Sequence, residues 1–223
     1  MSTATKYELL RDQTIEVEGH TLYRIRALRD FGYVKAGYLG GFVESEANLS
    51  HEGECWVYRN AKVFGNAKVN GNAWASGEAK VSGKGRVSGN AQVMDKARVE
   101  GEAWVGGMAK VEGNAKVSGE ARVEGNAQVI DDARVEGSAR VSGEARVSGN
   151  AVVAGKATIS GNSVLTSGVH TETLPAAQPE GSESAAELRA QAAEYQAKAA
   201  AFLERATALE AQEVADANPA PGM

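Results

Sequence analysis

Val117-Ser-Gly-Glu-Ala-Arg-Val-Glu-Gly-Asn-Ala-Gln-Val129 holds two copies of a six-residue unit, V-x-G-x-A-x, and the unit runs without insertion or deletion from Val57 to Leu165. Of the 19 positions in that register, 16 are Val, with Ala75, Ile159 and Leu165 as exceptions. Gly follows two residues later except at Arg59, Asp95 and Asp131, and Ala four residues later except at Gly85 and Ser163. In A-x-V the two apolar residues alternate with one polar residue, the period of a strand with Ala and Val inward. The x-G-x that follows is a bend, because Gly enters positive φ without strain and Asp is among the few other residues that do so cheaply.

A strand this short cannot bury its inner face alone. Burying a Val contributes about 1.5 to 3 kcal/mol, while ordering each backbone unit costs about 1 to 2 kcal/mol. Successive hexads must therefore wind into a coil whose turns stack through a parallel ladder. Composition agrees with a narrow interior. The chain has 223 residues and is 43% hydrophobic but only 6% aromatic, with 26 Gly and 4 Pro. All four prolines follow residue 174, so no ladder N–H is missing before them. The segment Asn90-Ala-Gln-Val-Met-Asp95 recurs as Asn126-Ala-Gln-Val-Ile-Asp131, a second-order repeat of 36 residues.

Units such as Val117-Ser-Gly-Glu-Ala-Arg122 and Val147-Ser-Gly-Asn-Ala-Val152 resemble the hexapeptide repeats of the left-handed parallel β-helix superfamily. The resemblance implies a mainly β fold: a single-stranded left-handed β-helix of triangular section, with three hexads in each 18-residue coil, and a homotrimer as the expected assembly. Nineteen hexads would make just over six coils, a prism of roughly 30 Å at a strand spacing of about 4.8 Å. Asp30-Phe-Gly-Tyr-Val-Lys-Ala-Gly37, Leu39-Gly-Gly-Phe-Val-Glu44, Asn48-Leu-Ser50 and Gly53-Glu-Cys-Trp-Val-Tyr58 resemble the N-terminal segment of hexapeptide-repeat proteins of tailed phages and prophages. Bacterial relatives of that group are named as transferases.

Before the repeat, Lys6 to Leu10, Thr14 to Val17 and Thr21 to Ile25 read as short strands, with a turn near Glu18 and Gly19 and then a Gly-rich segment to Val43. Val43, Leu49 and Cys55 are six apart, and Val57 sits two beyond Cys55. Residues 1–55 are therefore expected to form a small β cap and an irregular first coil, followed by the repeat domain at 56–168 and a linker at 169–183. Ser184 is an N-cap candidate for a helix over 184–215, with Leu188, Tyr195, Phe202 and Leu209 seven apart and Ala three residues before each. That stripe predicts self-association or docking along the prism, with a lone solvated helix as the alternative. Residues 216–223 read as a frayed tail.

The formal net charge of -5 hides a division: residues 56–165 carry 15 basic and 11 acidic side chains between acidic ends. One cysteine, Cys55, cannot form an intrachain disulfide and fits a reducing compartment. With no apolar signal core or membrane-length run, the expected location is the host cytoplasm or a virion, without membrane contact.

The search for chemistry finds little. The three histidines are His20, His51 and His170, none within the repeat, so a three-histidine zinc site on the coil is excluded. No metal or cofactor is expected. The coil also lacks the insertion loop with which acyltransferases of the superfamily cover substrate. His51 beside Glu52 and Cys55 is the candidate acid–base or thiol site at the cap, against a surface His and a buried small Cys. Asp95 and Asp131, two coils apart, fit turn stabilisation better than a cation site.

The outward residue before each Val is basic in 11 hexads. Stacking by 18 puts Lys62, Lys80, Arg98, Lys116 and Arg134 on one face, and Lys68, Arg86, Trp104, Arg122 and Arg140 on another. Trp56, Trp74, Gln92, Lys110, Gln128 and Arg146 form the third. Glu100, Glu112, Glu124 and Glu136 each follow a basic residue by two and compensate part of the charge. A solvated, aggregation-resistant face is the simplest reading, with polyanion or nucleic-acid binding and a protein interface as alternatives. Trp56, Tyr58 and Trp74 at the N-terminal end suggest an exposed contact surface, with packing under the cap as the equal alternative.

Three function classes follow. The leading one is a non-enzymatic phage or prophage structural or interaction protein, a rigid self-associating scaffold. The second is an acyltransferase-like protein using His51 at the cap. The third is a binder of a host macromolecule, a defence antagonist or polyanion binder.

Overall fold

A computed structural model describes residues 5–173 of the chain. The expected helix over 184–215, with Leu188, Tyr195, Phe202 and Leu209, lies outside the described residues.

From Trp56 onward each hexad contributes a two-residue strand, such as Lys116–Val117, and strands up to Arg146–Val147 pair in parallel with the strand eighteen residues on, while Val152 pairs with Val169, seventeen on. Three sheets result, with 10, 7 and 6 strands, in a parallel solenoid of about 7 turns. The ladder is regular: the Lys116 N–H donates to Ala133 O and the Ser118 N–H to Val135 O, both at 2.9 Å. Turns are closed locally as well, as where the Ala115 N–H donates to Glu112 O at 3.4 Å across Gly113. Val and Ala of every complete hexad are buried, and they form one continuous core. The solenoid continues one strand past the expected end of the repeat, at Val169–His170.

The corners explain the glycines. Gly113 has φ +72°, and a Cβ there would lie 2.9 Å from Asp131 O, so both conformation and the next turn exclude a side chain. Its column runs Arg59, Gly77, Asp95, Gly113, Asp131, Gly149, alternating a side chain with a glycine. Arg59, Asp95 and Asp131 all have positive φ. Asp95 Oδ2 accepts from the Gly113 N–H at 3.4 Å and Asp131 Oδ2 from the Gly149 N–H at 3.0 Å. Each carboxylate thus offsets its backbone strain by satisfying the next turn.

The N-terminal strands differ in detail from their expected limits. Strand β1 (Tyr7–Val17) is continuous with a register irregularity between Leu10 and Thr14, where the sequence suggests two strands. It forms an antiparallel hairpin with β2 (His20–Ala27), turning through Glu18 and Gly19 at positive φ. The Gly-rich segment contains an unexpected strand, β3 (Leu39–Val43), antiparallel to β2 and parallel to Lys62–Val63. Close approach explains its glycines: a Cβ on Gly41 would lie 2.4 Å from Ala61 O.

Val43 pairs with Val63 and Leu49 with Val69, twenty residues on, whereas Trp56 pairs with Trp74, eighteen on. The corner between Leu49 and Trp56 therefore carries two extra residues. This is the physical content of the irregular first coil.

Candidate functional site

The extra residues in that corner turn its carbonyls toward Lys6, which is fully buried. Lys6 Nζ donates to Cys55 O at 2.9 Å and to Cys55 Sγ at 3.3 Å, with Gly53 O at 3.4 Å and Glu52 O at 3.5 Å. It also lies 5.0 Å from the centre of the Phe31 ring. Burial pulls the Lys6 ammonium below its ordinary range, countered by Cys55. The Cys55 thiol sits 3.4 Å from Ser50 O, its acceptor, and burial pushes its pKa up against the pull of Lys6. A raised, enclosed thiol is a poor nucleophile at neutral pH.

His51 is equally committed. Its Nδ1 accepts the Lys6 backbone N–H at 3.1 Å and its ring stacks on Tyr7 at 4.4 Å. Accepting at Nδ1 fixes the neutral ring proton on Nε2, which faces Glu46 Oε2 at 3.9 Å. In this arrangement no free lone pair is left for a general base. Tyr7 donates to Leu49 O at 2.8 Å, and burial followed by Glu46 raises its pKa. The structure therefore brings His51 and Cys55 into one cluster, but as the polar seal of the cap. Lys6, its centre, was missed from the sequence because nothing local marks a single lysine for burial.

The aromatic surface divides in two. Trp56 is an outward strand residue yet 0% exposed, covered by Tyr7 at 6.0 Å and Phe31 at 5.3 Å between ring centres. This corrects the expectation of an exposed Trp56 and decides for packing under the cap. Among the described residues its Nε1–H has no hydrogen-bond partner. Phe64 is likewise buried, with Leu22 and Phe42 under the β1–β2 hairpin.

Tyr58 and Trp74 remain accessible. Tyr38, Tyr58 and Trp74 form an edge-to-face series with ring centres 6.3 and 5.9 Å apart. With Tyr33, which is 99% exposed, they line a groove of about 680 Å³. Glu54, Asn72, Asn90 and Gln92 give it a polar side, and the Asn72 amide donates to Asn90 Oδ1 at 3.2 Å. Burial, with Tyr38 and Glu54 nearby, raises the Tyr58 pKa. Tyr33 and Tyr38 fall outside the hexad register, so periodicity could not assign them to this face.

The repeat has a counterpart among known proteins. The family described as YdcK beta solenoid repeat matches residues 145–161. In architecture the chain is a β-solenoid built on a six-residue repeat. Fifty of its residues are also 44% identical to "Uncharacterized acetyltransferase YdcK" of Escherichia coli (strain K12), covering 22% of this chain and 15% of that protein. The chain thus spans only a small part of the length of the curated relative it matches.

The Lys62, Lys80, Arg98, Lys116, Arg134 column is less free than its spacing suggests. Lys80 pairs with Glu18 at the hairpin tip and lies 5.5 Å from the Phe64 ring centre, and Lys116 pairs with Glu100 at 2.8 Å. Lys62 Nζ donates to Asn60 O at 3.0 Å. The hydrogen bond from Lys80 lowers the Glu18 pKa. On the face carrying Arg86, Arg122 and Arg140, Trp104 Nε1 donates to Ser88 Oγ at 2.8 Å. Among the described residues, no group of three His, Cys, Asp or Glu side chains is placed to hold a metal ion.

Proposed function

We propose that the chain is a non-enzymatic interaction protein, a rigid β-solenoid that offers its N-terminal aromatic groove to a protein partner. The observation that carries this reading is a contrast within the cap. Lys6, His51 and Cys55, the residues with acid–base or thiol chemistry, are consumed by contacts with one another and with backbone, while Tyr33, Tyr38, Tyr58 and Trp74 line an accessible groove. Aromatic side chains with polar neighbours are the composition of protein interfaces.

The same proposal includes a left-handed coil of three hexads per turn, a homotrimer, and a phage or prophage setting in the host cytoplasm or on a virion. The hexapeptide pattern supports the first two and the N-terminal sequence resemblance the third.

The acetyltransferase-like reading has one specific support, the printed name of the Escherichia coli relative. It would require His51 to release the Lys6 N–H. Incubation of the full chain with acetyl-CoA and a panel of amine and hydroxyl acceptors tests the choice. Free CoA thiol should not rise above background and acetyl-CoA should not raise the melting temperature; turnover lost in His51→Ala would overturn the non-enzymatic reading. Light scattering tests assembly, and a monomeric mass contradicts the trimer.

A further inference from the structure

We propose that the solenoid face bearing Arg86, Trp104, Arg122 and Arg140 binds single-stranded nucleic acid, with a base on Trp104 and phosphates on the arginines. This site is separate from the N-terminal groove and does not rest on the function proposed for it.

The indole of Trp104 is positioned by two independent contacts. Its Nε1–H donates to Ser88 Oγ, and it lies over Gly106, where a Cβ would sit 2.6 Å from an indole carbon. Gly106 interrupts the column Asn70, Ser88, Gly106, Glu124, Ser142 at the one turn where the ring needs the space. Such a ring has already lost its rotamer freedom, so stacking on it costs little further entropy.

In-register pairing sets Arg86 and Arg122 on the strands either side of Trp104, with Arg140 one strand farther. Among the described residues none of these arginines makes an ion pair or lies over the indole. Together they flank a concavity of about 500 Å³ whose other walls include Lys84, Glu102 and Glu120. Glu102 is occupied by Lys84 at 2.7 Å, and Glu120 accepts from Ser138 at 3.3 Å. Four cations against two carboxylates leave the concavity positive.

Arg86 to Arg140 spans three strand steps, about 14 Å. A column of guanidiniums that forms no ion pair among the described residues is complementary to a chain of phosphates. The aromatic platform selects an unpaired strand, because a duplex keeps its base faces covered. The Lys62-to-Arg134 face lacks both features, having its lysines engaged and no aromatic platform.

The test is fluorescence anisotropy of a fluorescein-labelled oligothymidylate of about twelve nucleotides titrated with the full chain. Three phosphate contacts predict that affinity falls roughly 20-fold between about 50 and 200 mM salt. Trp104→Ala should weaken binding roughly 10-fold or more, and Arg122→Glu by at least about as much. Ser88→Ala, which frees the ring, should weaken it less than Trp104→Ala. Arg98→Glu, on the other face, should change it by about twofold at most. A duplex of the same length should bind more weakly. Absence of saturable binding at low salt overturns the site, as does binding independent of salt. Equal binding by Trp104→Ala, or by heparin with Trp104 irrelevant, would also overturn it. Circular dichroism of each variant separates lost binding from lost fold, and Arg122→Glu, being fully on the exterior, keeps the test decisive if Trp104→Ala is unstable.

Discussion

Lys6 Nζ lies 3.3 Å from Cys55 Sγ inside the cap, forty-nine residues apart in sequence. The ammonium reaches the carbonyls of Glu52, Gly53 and Cys55 at the corner with the two-residue insertion, so it ties the first coil to the start of β1. Replacing Lys6 by Met takes the side-chain donor away from the Cys55 and Gly53 carbonyls. The expected loss is about 1 to 3 kcal/mol per unsatisfied buried group, read by urea denaturation with Trp56 fluorescence as the cap probe. Cys55 should react with a thiol reagent only on unfolding; fast labelling of the native protein would contradict its burial.

Docking of the hairpin should depend on pH through Glu44. Its carboxylate accepts from the Gly65 N–H at 2.6 Å and faces His20 Nδ1 at 3.0 Å; His20 first, then the Gly65 N–H, hold its pKa below the ordinary 4.5. As pH falls below about 4.5 the unfolded chain takes up the proton before the folded one does, so stability declines with falling pH until the folded value is passed. The contribution is fully present above 4.5. Thermal melts between pH 7 and pH 3 should show this decline, and Glu44→Gln should flatten it; an unchanged slope would refute the assignment.

At the corners, Gly113→Ala should destabilise by about 1 to 2 kcal/mol from the left-handed backbone alone, and by more because its Cβ would press on Asp131 O. Asp131→Gly should stay within about 1 kcal/mol of neutral, since relief of positive φ offsets loss of the bond to Gly149. Chemical denaturation compares the two, and equal costs would argue against the alternating column.

In the interior, Ala121→Leu should be as damaging as a cavity. Ala121 and Val117 are completely buried in a core made of little else. Overpacking there costs about 1 to 3 kcal/mol or more, and Val117→Ala costs a comparable amount through lost burial and the cavity left. Tolerance of Ala121→Leu would mean the interior is wider than the Ala and Val lining implies.

Much of the architecture was legible because the hexad is redundant. Each Val, Gly and Ala repeats its instruction many times, so substitutions such as Arg59, Asp95 or Gly85 hardly weaken the pattern. The cap lacks that redundancy. Tyr7–Val17 looked like two strands because the irregularity between Leu10 and Thr14 breaks its alternation. The Gly-rich Leu39–Val43 hid a strand because its glycines answer a close approach by Val57 and Ala61, atoms remote in sequence. Trp56 illustrates the limit for the site. Its register correctly points it outward, but only the N-terminal segment folding back with Tyr7 and Phe31 decides that outward means buried.

The sequence by itself determined the solenoid, its apolar lining and the spacing of the outward columns, since these depend on local backbone preferences repeated at short range. Only the tertiary structure decided which outward residues are available. Burial of Lys6, His51 and Cys55, neutralisation of Lys80 by Glu18, and the placement of Trp104 over Gly106 all arise between segments from 16 to 62 residues apart or from the exact fit of a ring into a missing side chain. Such contacts are set by packing and desolvation across turns, which no short-range pattern encodes.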